Sequence, residues 1–390
     1  MRRFEVVNIQ EPKVLETKNI LLKVKSEYEL HHGVIITDEV IEKIIYYTNE
    51  FITNKKNPDK AIDFLDSVCA KAKTDHNYNE KTQKMHQELN RLREEKNKYL
   101  KNNDYDNALK MYTKELEINK KIANKMSSKK ILIKEEDILE VLENKTNLIF
   151  NEDKIKSLDN IKNIVSDKLY GIEEETNKII DLIKNNFYNK KGFLKVYLEG
   201  EAYLGKSSLV KIISENIPRC DFLKIDLNEY NSTYDINKLI GTTQGYVGYN
   251  DEHIFTRLKN NNFTIILFDN FDKAHKNIKE FIKGLLKEKY ITDNQGSRIY
   301  FNNTFIFITN DIESTNKVGF ENNLVNKNSS ELEDLVDDVI VFSKLTKDKL
   351  NKYLDKLKVE DKEYIIKNSE FEKFNYKNIN RLIKNNLINN

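Results

Sequence analysis

A single nucleotide-binding signature constrains this chain more than any other stretch of its sequence. Residues 193–209 read FLKVYLEGEAYLGKSSL, in which an apolar run of strand length leads into the pattern G-x-x-x-x-G-K-S. This is a P-loop with the required strand before it and a helix after it. Its glycines allow the tight turn in which successive N–H groups face a phosphate, and the helix dipole adds to the same site. The pattern predicts that the chain binds a nucleoside triphosphate.

Each position of this loop has an expected chemical role. Lys206 is expected to reach the β- and γ-phosphates, and the Ser207 hydroxyl is expected to bind Mg²⁺. A β-branched run ends at Asp269, where P-loop proteins keep a carboxylate that holds the same ion through water. The predicted ligands are therefore a nucleoside triphosphate and Mg²⁺. The loop residues predicted to contact the nucleotide are Gly200, Glu201, Ala202, Tyr203, Leu204, Gly205, Lys206, Ser207 and Ser208.

The composition limits the classes of partner. Charged residues make up 33% of the 390 residues, but the net charge is only +2, so a large nucleic-acid surface is not expected. The two cysteines, Cys69 and Cys220, form no C-x-x-C pair, which argues against a disulfide framework and a zinc site. No apolar run approaches the ~18 residues of a membrane span. The N-terminal stretch lacks the apolar core of a leader, so a soluble protein used where it is made is expected.

Three apolar runs after the P-loop predict further strands. They cover residues 221–227, 263–269 and 303–310, and helical patterns lie between them. The second run is almost continuously β-branched, which is typical of a parallel strand buried on both faces. Strands that alternate with helices after a P-loop predict an α/β fold, a doubly wound parallel sheet that binds its ligand at the carboxyl ends of the strands.

The chain ahead of the P-loop is predicted to be mostly helical. A short strand is expected at residues 4–9, followed by helices across 16–73. Thr37 and Asp38 are expected to cap one helix, and Pro58 stands at the start of another. The predicted apolar face of that last helix consists of Ala61, Ile62, Leu65 and Val68.

A helical hairpin is predicted next. Residues 80–126 contain two charged amphipathic runs, separated by the polar break at 102–104. One continuous, solvated helix is the alternative, but the poor helix formers at the break favour two antiparallel helices joined by a short turn. A linker is expected after the hairpin, and then a helix at 172–185 that precedes the P-loop strand.

Six further motifs show one pattern of similarity. Four lie in the second half of the chain: GYVGY (245–249), IILFDNFDKAH (265–275), ITDNQG (291–296) and NTFIFIT (303–309). Two lie in the first half: HHGVIITD (31–38) and NPDKAIDFLD (57–66). The first four resemble the second ATPase domain of the Clp/heat-shock ATPases of the AAA+ class, most closely the ClpC type. The other two resemble the helical lid of the first ATPase domain, and the hairpin is similar to the short middle domain.

This resemblance implies five segments. They are a lid remnant of a first AAA+ domain (1–75), a helical hairpin middle domain (76–130), a linker (131–165), an AAA+ α/β ATP-binding core (166–343) and a C-terminal helical lid (344–390). Arg2 and Arg3 are similar to the arginine-finger stretch that ends the first α/β core. The chain is therefore expected to begin just after that core, either as the product of a split gene or as a protein that works without a first nucleotide site.

Two positions depart from the pattern that the family uses for hydrolysis. In the family, a glutamate that polarises the attacking water follows the magnesium-binding aspartate, whereas this chain has Asn270. An amide cannot accept the proton of water, so a factor of roughly 10²–10⁴ in rate is at risk. The arginine finger of the second domain aligns with Leu335, and such a finger contributes roughly 10³–10⁵ in rate. ATP is expected to bind but to be hydrolysed slowly or not at all.

The resemblance also assigns the remaining residues of the nucleotide site. The polar sensor on the strand at 303–310 is matched by Asn310, or by Asp311 if the match slips by one residue. The sensor arginine near the C-terminus aligns with Lys377, a point charge without the bidentate fork of arginine. Gly171 and Ile172, ahead of the helix that precedes the P-loop strand, complete the predicted nucleotide-binding set.

Two loops are expected to contact other proteins. Tyr246 and Val247 resemble the pore loop that grips an unfolded polypeptide, where an aromatic between glycines offers a contact that is blind to sequence. Val318, Gly319 and Phe320 resemble the tripeptide with which ClpC-type rings dock into the ClpP peptidase. The implied partners are other Clp subunits in a hexamer, with a separately encoded first-domain core as one option, a ClpP-like peptidase and unfolded polypeptides.

Two functions fit these residues. The first is an ATP-driven unfoldase subunit that feeds polypeptide to a peptidase, and the second is a non-hydrolysing structural subunit that completes a mixed ring. A P-loop GTPase or nucleotide kinase is a distant third, because no N-K-x-D guanine motif is present. The abundance of Asn, Lys and Ile indicates an AT-biased genome. With the resemblance, that bias predicts an organelle-encoded plastid protein similar to those of apicoplasts, or else a bacterial cytoplasmic one.

Overall fold

A computed structural model of the chain describes residues 10–77, 80–101, 104–127, 131–169, 171–242, 253–312 and 332–343. The predicted strand at 4–9 and the predicted lid at 344–390 lie outside these residues. The chain divides into two compact units, Met1–Leu142 and Glu143–Asn390. Within the described ranges, no helix is long and apolar enough to cross a bilayer.

The first unit is helical, as its sequence predicts. Thr37 caps the second helix, because its side-chain oxygen accepts a hydrogen bond from the Val40 N–H at 3.3 Å. On the predicted apolar face of the third helix, three residues are fully buried and Ile62 is partly exposed; the buried ones are Ala61, Leu65 and Val68. The elements are α1 (Val14–His32), β1 (Val34–Ile35), α2 (Asp38–Phe51), α3 (Asp59–Asn77), α4 (Glu80–Lys101), α5 (Tyr105–Ser127), β2 (Ile131–Leu132) and the start of α6 (Glu135–Thr146).

Helices α4 and α5 form the predicted helical hairpin and pack against each other. The first helix ends in a turn in which the Asp104 N–H donates to the Tyr99 carbonyl at 3.0 Å. Arg93 and Lys96 of α4 both donate to the Glu115 carboxylate of α5, at 2.8 and 2.6 Å. These contacts between the two arms exclude a single continuous helix.

The segment at 131–165, predicted as a linker, is folded. It contains β2, α6, α7 (Glu152–Ser157) and the start of α8 (Asn160–Lys168). Strand β2 pairs in parallel with β1. The Glu143 carboxylate accepts hydrogen bonds from the N–H groups of Phe150 and Asn151, at 2.6 and 2.7 Å. Because it is buried and fully engaged, this carboxylate fixes the turn between α6 and α7.

The second unit contains the predicted doubly wound sheet. Five of its strands form one parallel sheet in the order β4–β5–β8–β3–β9, so the P-loop strand β3 lies between β8 and β9. Strands β6 and β7 form a separate antiparallel hairpin. After α8 the elements are α9 (Glu173–Tyr188), β3 (Phe193–Gly200), α10 (Lys206–Asn216), β4 (Asp221–Asp226), α11 (Ile236–Ile240), β5 (Thr264–Asp269), α12 (Lys276–Glu288), β6 (Tyr290–Thr292), β7 (Arg298–Tyr300), β8 (Thr304–Asp311) and β9 (Asp338–Phe342).

The central strands carry the core of this unit. Every residue of β5 is buried, as are all residues of β8 except the last, which is the burial expected of strands covered on both faces. Phe187 of α9 packs against Phe263 and Phe305, with ring centroids 5.6 and 5.2 Å apart. The continuous apolar runs of these strands are thus used to bury the sheet, and polar residues are left for the strand ends.

Candidate nucleotide-binding site

Neighbouring strand ends form one polar edge of the sheet. Strands β4, β5 and β8 end at Asp226, Asp269 and Asp311, and β3 ends at Gly200. The register places Asp226 level with Asp269, and Gly200 level with Asp311. Because the carboxyl ends of parallel strands lie together, the three carboxylates and the start of the P-loop lie along one edge of the sheet, with Asp311 next to Gly200.

Two glycines shape the P-loop backbone. Gly200 has a φ of 151°, and a Cβ there would lie 2.8 Å from the carbonyl oxygen of Phe342 in β9. Gly205 has a φ of 92° and forms the N-cap of α10. Both positions require glycine, because a side chain would be strained at the second and would collide with β9 at the first. The turn leaves the first N–H groups of α10 available to a ligand.

Lys206 is held in place by three acceptors. Its side chain is buried, and Nζ donates to the carbonyl oxygens of Gly200 and Glu201 at 2.8 and 2.7 Å. The same nitrogen lies 2.9 Å from Oδ1 of Asp311. Since the ammonium has three N–H bonds, these acceptors account for all of them and fix the charge at the mouth of the loop.

The Asp269 carboxylate joins three elements. Its Oδ1 accepts hydrogen bonds from Ser207 Oγ at 2.5 Å and from Thr309 Oγ1 at 2.6 Å, and its Oδ2 pairs with Lys224 Nζ at 2.6 Å. Burial alone would raise the pKa of Asp269, but the hydrogen bonds from Lys224, Ser207 and Thr309 outweigh it and hold the pKa below its usual value. Asp269 is therefore ionised at neutral pH.

Ser207 and Asp269 fit the chemistry of Mg²⁺. This ion prefers oxygen ligands, keeps several waters and commonly binds through one or two carboxylates plus substrate phosphates. The Ser207 hydroxyl and the ionised Asp269 carboxylate already lie in contact at 2.5 Å. In the part of the chain that the structure describes, no group of three or more His, Cys, Asp and Glu side chains could hold a metal. A bound Mg²⁺ would thus take further ligands from the nucleotide.

Asn270 is fixed by two hydrogen bonds. It adopts a left-handed conformation with a φ of 62°, and its N–H donates to Thr309 Oγ1 at 3.0 Å. Its side-chain Nδ2 donates to Asp226 Oδ1 at 3.0 Å. Asparagine tolerates this backbone conformation better than most residues. The amide can hold a water through its Oδ1, but it cannot take a proton from that water.

The structure separates the two residues that matched the polar sensor. Asn310 is buried and hydrogen-bonds the Glu199 carboxylate, whereas Asp311 pairs with Lys206. Burial raises the pKa of Glu199, an effect that the hydrogen bond from Asn310 partly offsets. Oε1 of Glu199 has no hydrogen-bond partner among the described residues. The residue next to the P-loop lysine is therefore Asp311, one position beyond the first match.

Leu335, which aligns with the arginine finger, packs inward. It is partly buried against the apolar core that includes Tyr197, Ile308 and Leu332. Its N–H donates to the Leu332 carbonyl at 2.8 Å. An apolar side chain in this position has no charge to offer a phosphate of a neighbouring subunit.

The other predicted site residues occupy varied environments. Leu204 is buried, Glu201 contributes its carbonyl to Lys206, and Tyr203 is exposed with a φ of 64°. Ala202 is partly exposed and Ser208 is exposed. Ile172 is buried and, with residues of α8 and α9, lines a cavity of about 200 Å³. The Gly171 N–H donates to Glu173 Oε1 at 3.1 Å. Tyr246, Val247, Val318, Gly319, Phe320 and Lys377 lie outside the described residues.

Several residues of the site were not predicted from the sequence. Lys224 and Thr309 hold Asp269, Asp226 holds Asn270, and Glu199 holds Asn310. The signal that could have found Asp226 is that an aspartate stands at or beside the end of each of the three apolar runs after the P-loop, namely Asp226, Asp269 and Asp311. The other contacts depend on strand register.

Comparisons with known proteins place these features in one family. Residues 13–120 match the AAA lid domain family, and residues 193–379 match the AAA domain (Cdc48 subfamily) family. ClpC of Staphylococcus aureus, an ATP-dependent Clp protease ATP-binding subunit, is 25% identical over 90% of this chain and 47% of its own length. The chain belongs to the Clp family of AAA+ ATPases. The corresponding ClpE of Bacillus subtilis is 27% identical over 88% of this Clp-family chain, which spans about half the length of the curated relatives it matches.

Solved structures show the same fold. An electron cryomicroscopy reconstruction of closed-state Hsp104 with ATPγS and FITC-casein matches the whole of this Clp-family chain and 66% of its own, with a TM-score of 0.73. The extended conformation of the S. cerevisiae Hsp104–casein complex gives a TM-score of 0.69. Both are 20% identical to this chain, so the likeness shows its fold alone.

Proposed function

We propose that this chain is an ATP-binding subunit of a Clp-type unfoldase or chaperone ring that threads polypeptides, with weakened hydrolysis at its own site. The observation that carries the proposal is the contact of Ser207 with Asp269, beside the buried Lys206. These are the groups that hold the phosphates and Mg²⁺ in P-loop ATPases. Their arrangement supports Mg-ATP as the ligand.

Weakened hydrolysis is supported by two side chains. Asn270 stands where the family has its water-polarising glutamate, and its amide is tied to Asp226. Leu335 stands where the family has an arginine finger, and it packs into the core. A general base and an arginine finger contribute roughly 10²–10⁴ and 10³–10⁵ in rate, respectively. The groups for ATP binding are thus present, while the glutamate and the arginine that supply these rate contributions in the family are replaced.

The proposed partners follow from the relatives. ClpC and ClpE are ATP-binding subunits of an ATP-dependent Clp protease, which supports a ClpP-like peptidase and further Clp subunits in a hexamer as partners. Hsp104 was solved with casein, which supports an unfolded polypeptide as the substrate. The pore loop at Tyr246–Val247 and the docking tripeptide at Val318–Phe320 are the proposed contact sites. A plastid is the proposed location, on composition, with a bacterial cytoplasm as the alternative.

A second candidate is a non-hydrolysing structural or regulatory subunit of a mixed ring. Asn270 and Leu335 favour it, because they replace the glutamate base and the arginine finger of the family. Neighbouring subunits with complete sites would then supply the turnover. The two candidates differ in one measurable respect: whether the chain alone hydrolyses ATP, or hydrolysis appears only with a companion that carries the first-domain core.

The test measures ATP binding and ATP hydrolysis separately on the purified full chain. A fluorescent ATP analogue with Mg²⁺ should bind, and Lys206→Ala should weaken that binding at least about tenfold, the loss of one charge-assisted contact. Lys211→Ala, which removes an exposed lysine from the same helix, is the matched control. Failure of the chain to bind the analogue would contradict the proposal. Turnover at ordinary Clp rates that Asn270→Ala leaves unchanged would contradict weakened hydrolysis.

A further inference from the structure

The geometry points to Asp311 as the general base for the ATP turnover that this chain supports. The carboxylate that the family places after the β5 aspartate would be supplied here by the end of β8, while Asn270 keeps an amide at the β5 position. This role presupposes the ATP site proposed above. It adds a catalytic residue that the P-loop pattern does not contain.

Position is the first reason. Lys206 marks where the β- and γ-phosphates bind, and Asp311 Oδ1 lies 2.9 Å from its ammonium. Asp272, on the turn after β5, accepts a hydrogen bond from the Asp311 N–H at 3.4 Å. The backbone that carries Asp311 is therefore held against the segment in which the family's glutamate would lie.

Availability is the second reason. Asp269 is fully engaged by Ser207, Thr309 and Lys224, and the Oδ1 of Asp226 accepts hydrogen bonds from Asn270 and Asn228. For Asp311, by contrast, Oδ2 has no partner among the described residues, and 28% of the side chain is exposed. A base needs an accessible lone pair within reach of a water. Asp226 also has an Oδ2 without a partner among the described residues, but of these two carboxylates Asp311 is the one that lies on Lys206.

The chemical step balances without another reactant. The water oxygen forms a bond to the γ-phosphorus, and a proton of that water passes to Oδ2 of Asp311. The bond between the γ-phosphorus and the β–γ bridging oxygen breaks, and ADP leaves with that electron pair. The products are ADP and inorganic phosphate, and the protonated Asp311 returns its proton to solvent. Asn270 can orient the same water through its amide oxygen.

The experiment compares four forms of the full chain: wild type, Asp311→Asn, the double variant Asp311→Asn with Asn270→Glu, and Asp338→Asn. Phosphate release is measured in a single turnover of Mg-ATP, and binding is measured with a fluorescent ATP analogue. Asp311→Asn should lower the release rate by on the order of 10²-fold, the contribution of a general base, without weakening binding. The double variant should recover at least the wild-type rate. Asp338→Asn, an exposed change at the opposite end of the sheet, should alter neither quantity.

Each other outcome overturns the role of Asp311. An unchanged release rate in Asp311→Asn would exclude it as the base, and a loss in Asp272→Asn instead would move the role to that carboxylate. Loss of ATP binding in Asp311→Asn would make it a binding residue. A wild-type chain that binds ATP but releases no phosphate would show that no base operates, and would leave the proposed ATP-binding function intact. A wild-type chain that does not bind ATP would contradict the proposed function itself.

Discussion

At the scale of single residues, Asp269 connects folding with the proposed chemistry. Its two oxygens bind Ser207 of α10, Thr309 of β8 and Lys224 of β4, so one carboxylate joins three elements at the edge of the sheet. The sequence predicted Asp269 and Ser207 from their places in the P-loop pattern. It could not predict Lys224 and Thr309, because their contacts depend on the register of β4 and β8 against β5. The sequence likewise could not decide whether Asn310 or Asp311 lies next to Lys206, because that contact also depends on how β8 pairs with β3.

The lowered pKa of Asp269 has a consequence for stability. The unfolded chain has the ordinary aspartate pKa, about 3.9, so below that pH the unfolded state binds more protons than the folded state. The stabilisation from ionised Asp269 is therefore complete at neutral pH and is lost as the pH falls through the lowered folded pKa. We expect the free energy of unfolding of wild type, relative to Asp269→Asn, to decrease below about pH 4. Urea titrations from neutral to acid pH measure it.

The control for this prediction is Asp338→Asn, which removes an exposed carboxylate from the amino end of β9. The free energy of unfolding of Asp338→Asn is expected to stay close to that of wild type throughout the titration. An Asp269→Asn difference that does not change with pH would show that Asp269 is not held in its ionised form by its three donors.

At the scale of elements, the strands and helices that could be predicted from the sequence were those with long or fully buried apolar runs. The P-loop strand, β5 and β8 were predictable because their continuous apolar runs leave no other placement than a buried parallel sheet. Strands β6 and β7 have three residues each, too few to show a period, and they were missed. The segment at 131–165 was interpreted as a linker although it is folded, and its buried apolar residues, among them Ile138, Leu142 and Ile155, form part of the core. The hairpin was found through its polar break.

The close approach of β9 to Gly200, where β3 meets the P-loop, gives a prediction for this glycine, and Gly284 of α12 serves as its control. Gly200→Ala is expected to destabilise the second unit by more than about 1 kcal/mol, because its Cβ would lie 2.8 Å from a carbonyl oxygen at a positive φ. It should also weaken binding of a fluorescent ATP analogue. Gly284 lies on the exposed face of α12, and a Cβ added there would have no other atom within 4 Å. The control substitution is Gly284→Ala. It should stabilise by about 0.5–1 kcal/mol.

Chemical denaturation of both variants measures whether each substitution lowers or raises the free energy of unfolding. Equal effects of the two substitutions would show that the close approach of β9 does not constrain the loop. Retained ATP binding in Gly200→Ala, with lowered stability, would separate the packing role of this glycine from its role in the site.

At the scale of the whole molecule, the chain divides into two compact units that match different domain families. The AAA lid family matches within the first unit, and the AAA domain family matches within the second. Within the described ranges, every residue that is proposed to bind the nucleotide belongs to the second unit. Curated relatives are about twice as long as this chain, so the proposed ring, its proposed partners and the proposed threading activity would depend on more than the residues that hold ATP. The described residues contain one proposed nucleotide site, in the second unit, and a first unit that is mostly helical.

This division predicts where Mg-ATP stabilises the molecule. A ligand that binds only the folded state adds about 2.7 kcal/mol when present at about 100 times its Kd. We expect that gain in the second unit, where hydrogen exchange of the P-loop and of the last residues of β5 and β8 should slow on addition of Mg-ATP. The helices α1, α2 and α3 contain no proposed ligand and should exchange at unchanged rates. Lys206→Ala should reduce the protection, and Lys211→Ala should retain it in full. Equal protection of α1–α3 would contradict the restriction of the nucleotide to the second unit.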